Sequence, residues 1–231
     1  MSEDINTGNC DSCIYKSILF EGLSSEELRI INHNKTVRIF SKGEYICHEG
    51  DEIKRFICLK EGLVKLYREG KSRHEHIISI ARPMDFIGLL GIFSNSNYLY
   101  SIVAIEDSDL CLIDLESIKS IIKSNGTFAL NILEKMSSVS DQVLQIQIDL
   151  AGKQLRGRIA YIILLFANQI YKTNRFDLPI SRKEIGDLIE MRTENVIRIL
   201  SEFRKDKLLK IEGKTIEVLD MELMKKISEL G

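Results

Sequence analysis

Hydrophobic and polar positions follow one pattern in the first half of the chain and another after about residue 127. Between Val37 and Leu115, short runs rich in Ile, Val, Phe and Tyr are separated by turn residues, as in Glu49-Gly50-Asp51. Many short apolar runs with turns at nearly regular spacing predict a sandwich or barrel-like β domain. Ahead of them, Ser24 and Glu27 have the spacing of a capping box, which predicts a short helix.

From about Thr127, apolar residues recur at steps of three or four, the spacing of one helix face. The seam runs for about three heptads and consists of Phe128, Ile132, Met136, Val139, Val143, Ile146 and Leu150. So narrow a stripe on a long helix favours a homodimeric coiled coil, with a helix packed on its own domain as the alternative. Gly152 and Gly157 follow, so we predict a hinge near residues 151–157.

Residues 178–203 have the pattern of a helix-turn-helix. Ser181 and Glu184 form a second capping box before a short helix with an apolar face. A second helix begins near Thr193, with its apolar residues on one side and polar residues on the other. Residues 208–219 then predict a hairpin that turns at 212–214, which makes the motif a winged helix-turn-helix. A small helical domain with an ordinary charged surface is the alternative.

The polar side of the second helix carries side chains that can read base edges. Arginine can bind guanine with two hydrogen bonds, glutamate accepts from cytosine, and asparagine pairs with adenine. The predicted DNA-binding residues are Arg192, Thr193, Glu194, Asn195, Arg198 and Lys214. The basic residues that follow the helix could meet phosphates.

Composition and charge change this picture little. The formal net charge of −2 is a weak argument against nucleic-acid binding, because an acidic sensor domain could mask a basic reading head. No apolar run approaches the ~20 residues that span a bilayer, and residues 1–9 are polar and acidic. We therefore expect a cytoplasmic protein with no membrane partner. The sequence has no P-loop, dinucleotide fingerprint, nucleophile elbow or zinc-protease motif, so we expect no enzyme activity.

The run SRKEIG at 181–186, followed by ENVIRIL at 194–200, resembles the "R-x-E-I-G … E-T-V-x-R-x-L" signature of the CRP/FNR family. The wing at 213–216 and the turns of the β domain resemble the same family in the same order. The resemblance implies an α+β protein with a double-stranded β-helix (a cyclic-nucleotide-binding-like β-roll), a long dimerisation helix and a C-terminal winged helix-turn-helix. The predicted domains are an N-terminal helix plus β-roll sensor at 1–126, a dimerisation helix at 127–151 and a DNA-binding domain at 152–231.

The resemblance also implies a transcription regulator that binds double-stranded DNA as a homodimer. Its two recognition helices would enter successive major grooves of a near-palindromic site. By position, Glu194 and Arg198 match the two base-reading residues shared in the family, whereas Arg192, Thr193 and Ile197 sit where members differ. RNA polymerase is a further expected partner if the protein activates transcription. The alternative is a sensor protein with this β-roll but without sequence-specific DNA binding.

The expected effector is not cyclic AMP. Family members that bind it hold the ribose and phosphate with a segment "G-E-L-G … R-S", whereas this chain has Gly88-Leu89-Leu90-Gly91 and Leu99-Tyr100 at those positions. Burying a phosphate without a cation is costly. An apolar pocket for another ligand or a haem is one possibility and a filled core is the other. The residues concerned are Phe86, Gly88, Leu89, Tyr98, Leu99 and Tyr100.

The cysteines suggest a second kind of effector. Cys10 and Cys13 resemble the N-terminal cysteine pair of FNR, and Cys111 falls where its distant ligand cysteine lies. Leu19 stands at the position of the missing ligand, so an iron–sulfur cluster needs a fourth donor. One of the two remaining cysteines could serve if the fold brings it near. A cluster held by these metal ligands, a thiol redox sensor and a vestigial pair all remain open, and the cofactor stays unknown.

Overall fold

The computed structural model describes residues 19–70 and 75–230. Backbone contacts divide the chain into two compact units. The N-terminal unit comprises the residues up to 68 and 79–143, and the C-terminal unit comprises 69–78 and the residues from 144 onwards. The first two divisions fall within strands, and the last falls within a long helix.

Eight strands form two four-stranded sheets in the first half of the chain. They are β1 (Lys35–Phe40), β2 (Tyr45–Cys47), β3 (Arg55–Glu61), β4 (Val64–Glu69), β5 (Glu75–Ala81), β6 (Phe86–Ile87), β7 (Ser101–Ala104) and β8 (Ser108–Asp114). The first sheet has the order β1-β8-β3-β6 and the second β2-β7-β4-β5. The strand pairs with a defined register are antiparallel, so the predicted β domain is confirmed.

Strand β3 of the first sheet is buried on both faces, and its residues 56–59 form a continuous apolar run. Side chains alternate along β3: Ile57 and Leu59 lie on one face, and Phe56 and Cys58 lie on the other. The first face meets the second sheet in an inter-sheet core of Phe40, Ile57, Leu59, Val64, Leu66, Ala81, Ile87, Tyr98, Ile102, Ala104 and Leu110. The second face meets helices in a helix-side core of Leu19, Phe20, Leu28, Ile31, Phe56, Cys58, Phe86, Leu89, Ile92, Cys111, Ile113, Leu115, Ile118, Ile121, Phe128 and Ile132.

Three helices accompany the sheets. They are α1 (Ser25–His33), α2 (Leu115–Ser124) and α3 (Gly126–Gly152). The predicted capping box of α1 is confirmed, because the Glu27 backbone N–H donates to Ser24 Oγ and the Ser24 backbone N–H donates to the Glu27 carboxylate. Asp114 caps α2 in a similar way, accepting from the Ser117 backbone N–H at 2.9 Å.

The predicted dimerisation seam of α3 divides into a buried part and an exposed part. Phe128 and Ile132 are buried in the helix-side core of their own protomer, and Met136 and Val139 pack against that core. Beyond the part of α3 that covers this core, the later seam residues Val143 and Ile146 are exposed and Leu150 is half-buried. The exposed apolar residues elsewhere on α3 are Leu130, Leu133, Leu144 and Ile148. At about 100° per residue, these four lie on nearly the opposite side of the helix from Phe128.

The C-terminal unit contains the predicted winged helix-turn-helix. Its elements are α4 (Leu155–Leu164), a π-helical turn (Leu165–Ile170), β9 (Arg175–Asp177), α5 (Arg182–Leu188), α6 (Thr193–Lys205), β10 (Leu209–Glu212), β11 (Thr215–Val218) and α7 (Met221–Leu230). The β10–β11 hairpin turns at Gly213, as predicted, and β9 adds a third strand to it. None of the described helices is both long enough and apolar enough to cross a bilayer. The predicted α+β fold class is confirmed.

Candidate nucleic-acid interface

The turn between α5 and α6 is fixed by backbone geometry. Ser181 caps α5, and its backbone N–H donates to Glu184 Oε2 at 2.8 Å, which completes the predicted capping box. The Met191 backbone N–H donates to the Gly186 carbonyl at 2.8 Å, and Glu190 adopts a left-handed conformation with φ of 52°. A Cβ at Gly186 would lie 2.4 Å from the Met191 carbonyl oxygen, so the two helices can approach this closely only with glycine there.

α6 is amphipathic, and burial of its apolar side determines which of its residues are exposed. Val196, Ile199, Leu200 and Phe203 are buried along one stripe. On the opposite side, Glu194 and Arg198 are exposed, and Thr193 and Asn195 on the flanks are half-buried. Arg192, the N-cap residue just before the helix, is also exposed. Ile197 is 51% exposed, which excludes a purely internal packing role within this unit. The structure therefore brings the predicted base-reading side chains of α6 onto one accessible helix face.

The wing is held against the helix-turn-helix by Arg182, a residue that the sequence analysis did not single out. Its Nη2 donates to the Gly213 carbonyl at the tip of the hairpin, at 3.0 Å. Partial burial lowers the pKa of the Arg182 guanidinium from its usual value. The Leu178 backbone N–H donates to the Lys214 carbonyl at 3.0 Å, so β9 holds the same turn from its other side. Lys214 itself is exposed.

Arg198, a predicted base-reading residue, is exposed and also forms an ion pair. Its side chain is 56% exposed, and Nη1 donates to Glu202 Oε1 at 2.5 Å, one helical turn further on. Glu202 also accepts from Arg156 of α4. Arg198 is therefore accessible but held, and Glu202 and Arg156 are neighbours that sequence spacing alone did not reveal.

The six predicted effector-pocket residues are divided among three environments. Phe86 and Leu89 lie in the helix-side core. Tyr98 and Tyr100 belong to the inter-sheet core or pack against it, with ring centroids 6.2 Å apart. Leu99 is 54% exposed. The structure thus places these residues in two separate cores and on the surface, and it does not bring all six of them together around one pocket.

Two tyrosine side chains lie next to Gly88, in the segment predicted to line the effector pocket. Gly88 has φ of 75°, and a Cβ there would lie 3.1 Å from Tyr100 Oη. Burial raises the pKa of both Tyr98 and Tyr100 above the usual tyrosine value, so both phenols stay protonated. Two neutral tyrosines thus occupy the inside of the roll near Gly88, where the family's nucleotide-binding segment would contribute charged groups.

The described cysteines lie on different sides of the first sheet. Cys111 on β8 is directly opposite Cys58 on β3, and both are buried in the helix-side core. Cys47 packs against the inter-sheet core instead, and burial raises the pKa of its thiol to about 12. Cys10 and Cys13 lie outside the described residues. Within 19–70 and 75–230, no group of three or more His, Cys, Asp or Glu side chains is arranged to hold a metal ion.

Comparison with known proteins agrees with this geometry. Residues 37–125 match the family model of the cyclic nucleotide-binding domain, and residues 157–227 match that of the Crp-like helix-turn-helix domain. The transcriptional activator protein Anr of Pseudomonas protegens is 25% identical over 221 residues, covering 93% of this chain and 90% of Anr. Electron transport regulator A of Shewanella oneidensis is 27% identical over 195 residues, covering 83% and 76%. The chain belongs to the CRP/FNR family.

The solved structure of FixK2 from Bradyrhizobium japonicum supports the fold of this CRP/FNR protein. It has a TM-score of 0.75 at 20% sequence identity, with 85% of this chain and 98% of that one covered. The predicted family and its general function are therefore confirmed: the chain is a DNA-binding transcription regulator of the CRP/FNR type. We accordingly call its two parts the sensor unit (N-terminal) and the DNA-binding unit (C-terminal).

Proposed function

We propose that this regulator acts as a homodimer on a near-palindromic DNA site and responds to an effector other than cyclic AMP through its sensor unit. The protein is expected to work in the cytoplasm without enzyme activity of its own, and to contact RNA polymerase where it activates transcription. The observation that carries the proposal is the exposed face of α6, where Arg192, Glu194 and Arg198 stand over a buried apolar stripe.

This face has the chemistry needed for direct readout in the major groove. An α-helix fits that groove, arginine recognises guanine O6 and N7, and glutamate accepts from the cytosine amino group. Glu194 in the first turn of α6 and Arg198 one turn later are exposed on the same side. We expect both to contact base edges, with Arg192, Thr193 and Asn195 beside them, and Lys214 of the wing to contact a phosphate.

For the dimer we propose the exposed stripe of α3 that lies opposite the buried seam residues Phe128 and Ile132. Leu130, Leu133, Leu144 and Ile148 are each more than half exposed in the protomer. A stripe of this kind on a 27-residue helix suits two-fold symmetric pairing with a second copy, in which the same side of each helix covers the other. Two recognition helices related by a two-fold axis would then read half-sites about one helical turn apart.

The test begins with selection of an operator from a pool of random DNA duplexes by the full-length protein. We expect a two-fold symmetric consensus, and salt-sensitive binding to it in gel shifts. Arg198→Ala should cost about 1–3 kcal/mol per half-site and relax one base position. Arg29→Ala is the matched control, because it removes an exposed arginine from α1 in the sensor unit. An asymmetric or absent consensus would contradict the proposal.

An iron–sulfur cluster is favoured among the candidate effectors by one observation. Cys58 lies directly opposite Cys111, and it thereby adds a fourth thiol to the predicted ligands Cys10, Cys13 and Cys111. Four cysteine thiolates are the usual ligand set of such clusters. When bound, the cluster would supply redox sensitivity, while the apolar helix-side core around Cys58 and Cys111 would keep solvent from these two ligands.

A visible spectrum of protein purified without oxygen and then exposed to air tests this candidate. A broad band that bleaches in air supports a cluster, a sharp Soret band indicates haem, and a spectrum without either contradicts both. Loss of the band and of bound iron in Cys58→Ser and Cys111→Ser is expected. Cys47→Ser should leave both unchanged, because Cys47 packs against the other core.

A further inference from the structure

One carboxylate in the DNA-binding unit is shared by two arginines. Glu202 Oε1 accepts from Arg198 Nη1 at 2.5 Å, and Glu202 Oε2 accepts from Arg156 Nη1 at 2.9 Å. The Glu202 side chain is only 32% exposed, whereas that of Arg198 is 56% exposed. Each oxygen of the carboxylate therefore holds a different guanidinium, and one of these belongs to the residue proposed to read a base.

The second arginine is itself held at three points. Arg156 Nη2 donates to Asp206 Oδ2 at 3.0 Å, and its guanidinium carbon lies 4.9 Å from the centroid of the Phe203 ring. Phe203 is fully buried in the DNA-binding unit. Stacking on a fixed ring, together with two ion pairs, leaves Arg156 little freedom to turn. Glu202 is thus anchored through Oε2, the carboxylate oxygen that does not contact Arg198.

The segment that carries Arg156 is also bonded to several other elements of the same unit. The Lys153 ammonium donates to the Ser228 carbonyl in α7. Arg158 Nη1 donates to the Ile189 carbonyl at the end of α5, at 3.2 Å. Lys153 and Arg156, which lie in the predicted hinge, are therefore fastened to α7 and α6, and Arg158 just after it is fastened to the end of α5. Arg156 is thus a fixed support and not a mobile loop residue.

This arrangement affects how Arg198 can bind DNA. A free arginine must give up much of its rotational freedom when it contacts a base, and that loss reduces affinity and selectivity. A single exposed i,i+4 ion pair would do little to prevent this. Here the partner carboxylate is itself anchored, so the guanidinium is held in one direction before DNA arrives. Only Nη1 of Arg198 is used in this contact, and arginine has further donors for a base.

We propose that Glu202 is a positioning residue for base recognition: it orients the Arg198 guanidinium and is supported by Arg156. The inference rests on the proposed function, in which Arg198 reads a base pair. It assigns a role in DNA specificity to an acidic residue that would otherwise only repel phosphates. It also connects the residue that reads the base to the segment between α3 and α4.

The test compares Glu202→Gln with Asp206→Asn in the full-length protein. Both variants remove one negative charge from the same end of α6, and both remove a partner of Arg156, but only Glu202 contacts Arg198. The selected operator is compared with operators in which one base pair at a time is changed. The base pair read by Arg198 is the one at which Arg198→Ala removes discrimination.

Wild-type protein should prefer the correct base pair at that position by about ten- to hundredfold, as expected for a good arginine–guanine contact. We expect Glu202→Gln to reduce this preference severalfold at that position only. Asp206→Asn should keep it, although either variant can bind all DNA more tightly because a repulsive charge is gone. Adding Glu202→Gln to Arg198→Ala should produce no further loss of preference.

The possible failures can be told apart. Equal preferences in wild type and Glu202→Gln, or equal losses in Glu202→Gln and Asp206→Asn, would overturn the positioning role while leaving the proposed function intact. Discrimination that survives Arg198→Ala would overturn the role of Arg198 and with it that of Glu202. Wild-type protein that selects no operator would overturn the proposed function itself.

Discussion

The sensor unit and the DNA-binding unit place their predicted functional residues in opposite environments. In the DNA-binding unit, Arg192, Glu194 and Arg198 are exposed on one helix face. In the sensor unit, Phe86, Leu89 and Tyr98 are buried among other apolar side chains. Base reading needs donors and acceptors that project from a surface, whereas ligand binding needs a concave space whose existence depends on what fills it.

This difference explains why a base-reading surface can be recognised within a short segment of sequence, whereas a ligand pocket cannot. The face of α6 follows from a helical period and from one capping box, at Ser181 and Glu184, within about 20 residues of sequence. The inside of the roll depends on which side chains from both sheets meet there. At Gly88, the available space is taken by Tyr100, a residue twelve positions away in the chain. Substitutions at buried and exposed positions in each unit can test this difference between the two units.

The largest effect is expected for Phe128→Ala in the sensor unit. Phe128 is fully buried in the helix-side core, so its truncation leaves a cavity. We expect the free energy of unfolding to fall by about 3–5 kcal/mol, measured by denaturant titration at fixed protein concentration. Leu130→Ala on the same helix is the matched control, since Leu130 is 60% exposed in the protomer.

Leu130→Ala should change the unfolding of the dissociated protomer by less than about 0.5 kcal/mol. Its effect should appear in the dimer dissociation constant, measured by analytical ultracentrifugation. If Phe128→Ala weakened the dimer without loss of protomer stability, the seam predicted from the sequence would be restored as the interface, and the assignment of the two α3 faces would be wrong.

A somewhat smaller effect is expected for Gly186→Ala in the DNA-binding unit. The new Cβ would lie 2.4 Å from the Met191 carbonyl oxygen, so the helices of the helix-turn-helix must separate. Overpacking of this kind costs about 1–3 kcal/mol, and sometimes more. Calorimetry should show this loss, and gel shifts should show loss of operator binding.

Gly152→Ala is the control for Gly186→Ala. A Cβ at Gly152 meets nothing within 4 Å, and Gly152 lies in the last turn of α3. Because alanine is the better helix former by up to about 1 kcal/mol, Gly152→Ala should be neutral or stabilising. Equal destabilisation by the two variants would mean that space at Gly186 does not determine the α5–α6 turn.

The smallest effect concerns the pH dependence of the sensor unit. The pKa of Glu27 lies below its usual value, chiefly because the Ser24 backbone N–H donates to its carboxylate, and also because the Asn125 and Ser24 side chains do so. A depressed folded-state pKa adds stability above the unfolded-state pKa, and that stability is lost as the pH falls through the folded value. The window therefore begins near pH 4.3 and extends downward.

Because Glu27 is only half-buried and solvent screens its interactions, the change should be small. Urea titrations at pH 7 and in that acidic window should show a slightly steeper loss of stability in wild type than in Glu27→Gln. Glu26→Gln, which removes the neighbouring carboxylate without removing the cap, is the control. Identical pH profiles for wild type and Glu27→Gln would contradict a role of the capping box in acid sensitivity.

Local signals made much of the fold predictable. The capping boxes at Ser24 and Ser181 and the hairpin turn at Gly213 depend on residues close together in the sequence, and all three were correct. The three-residue strand β9 and the helix α7 were missed. A strand as short as β9 has too few residues to show a period, and it forms because β11 is available to pair with it.

The non-local features were not accessible from the sequence. A helix with two apolar sides does not reveal which side covers its own domain, and this is why the seam containing Phe128 was assigned to the dimer. The contact of Glu202 with Arg156 joins residues 46 positions apart. The pairing of Cys58 with Cys111 depends on the register of β3 and β8. Each of these requires tertiary structure, whereas the i,i+4 spacing of Arg198 and Glu202 is that of an ordinary surface ion pair.

The two apolar sides of α3 have a consequence for how this protein can evolve. Phe128 and Ile132 lie in a core, and Leu130 and Leu133 lie on nearly the opposite side of the same rigid rod. If a change of side-chain volume in the core rotates α3 about its own axis, the opposite side of the helix rotates through the same angle. In divergent versions of this chain, a substitution on the core side of α3 should therefore be accompanied by a compensating substitution on its exposed side.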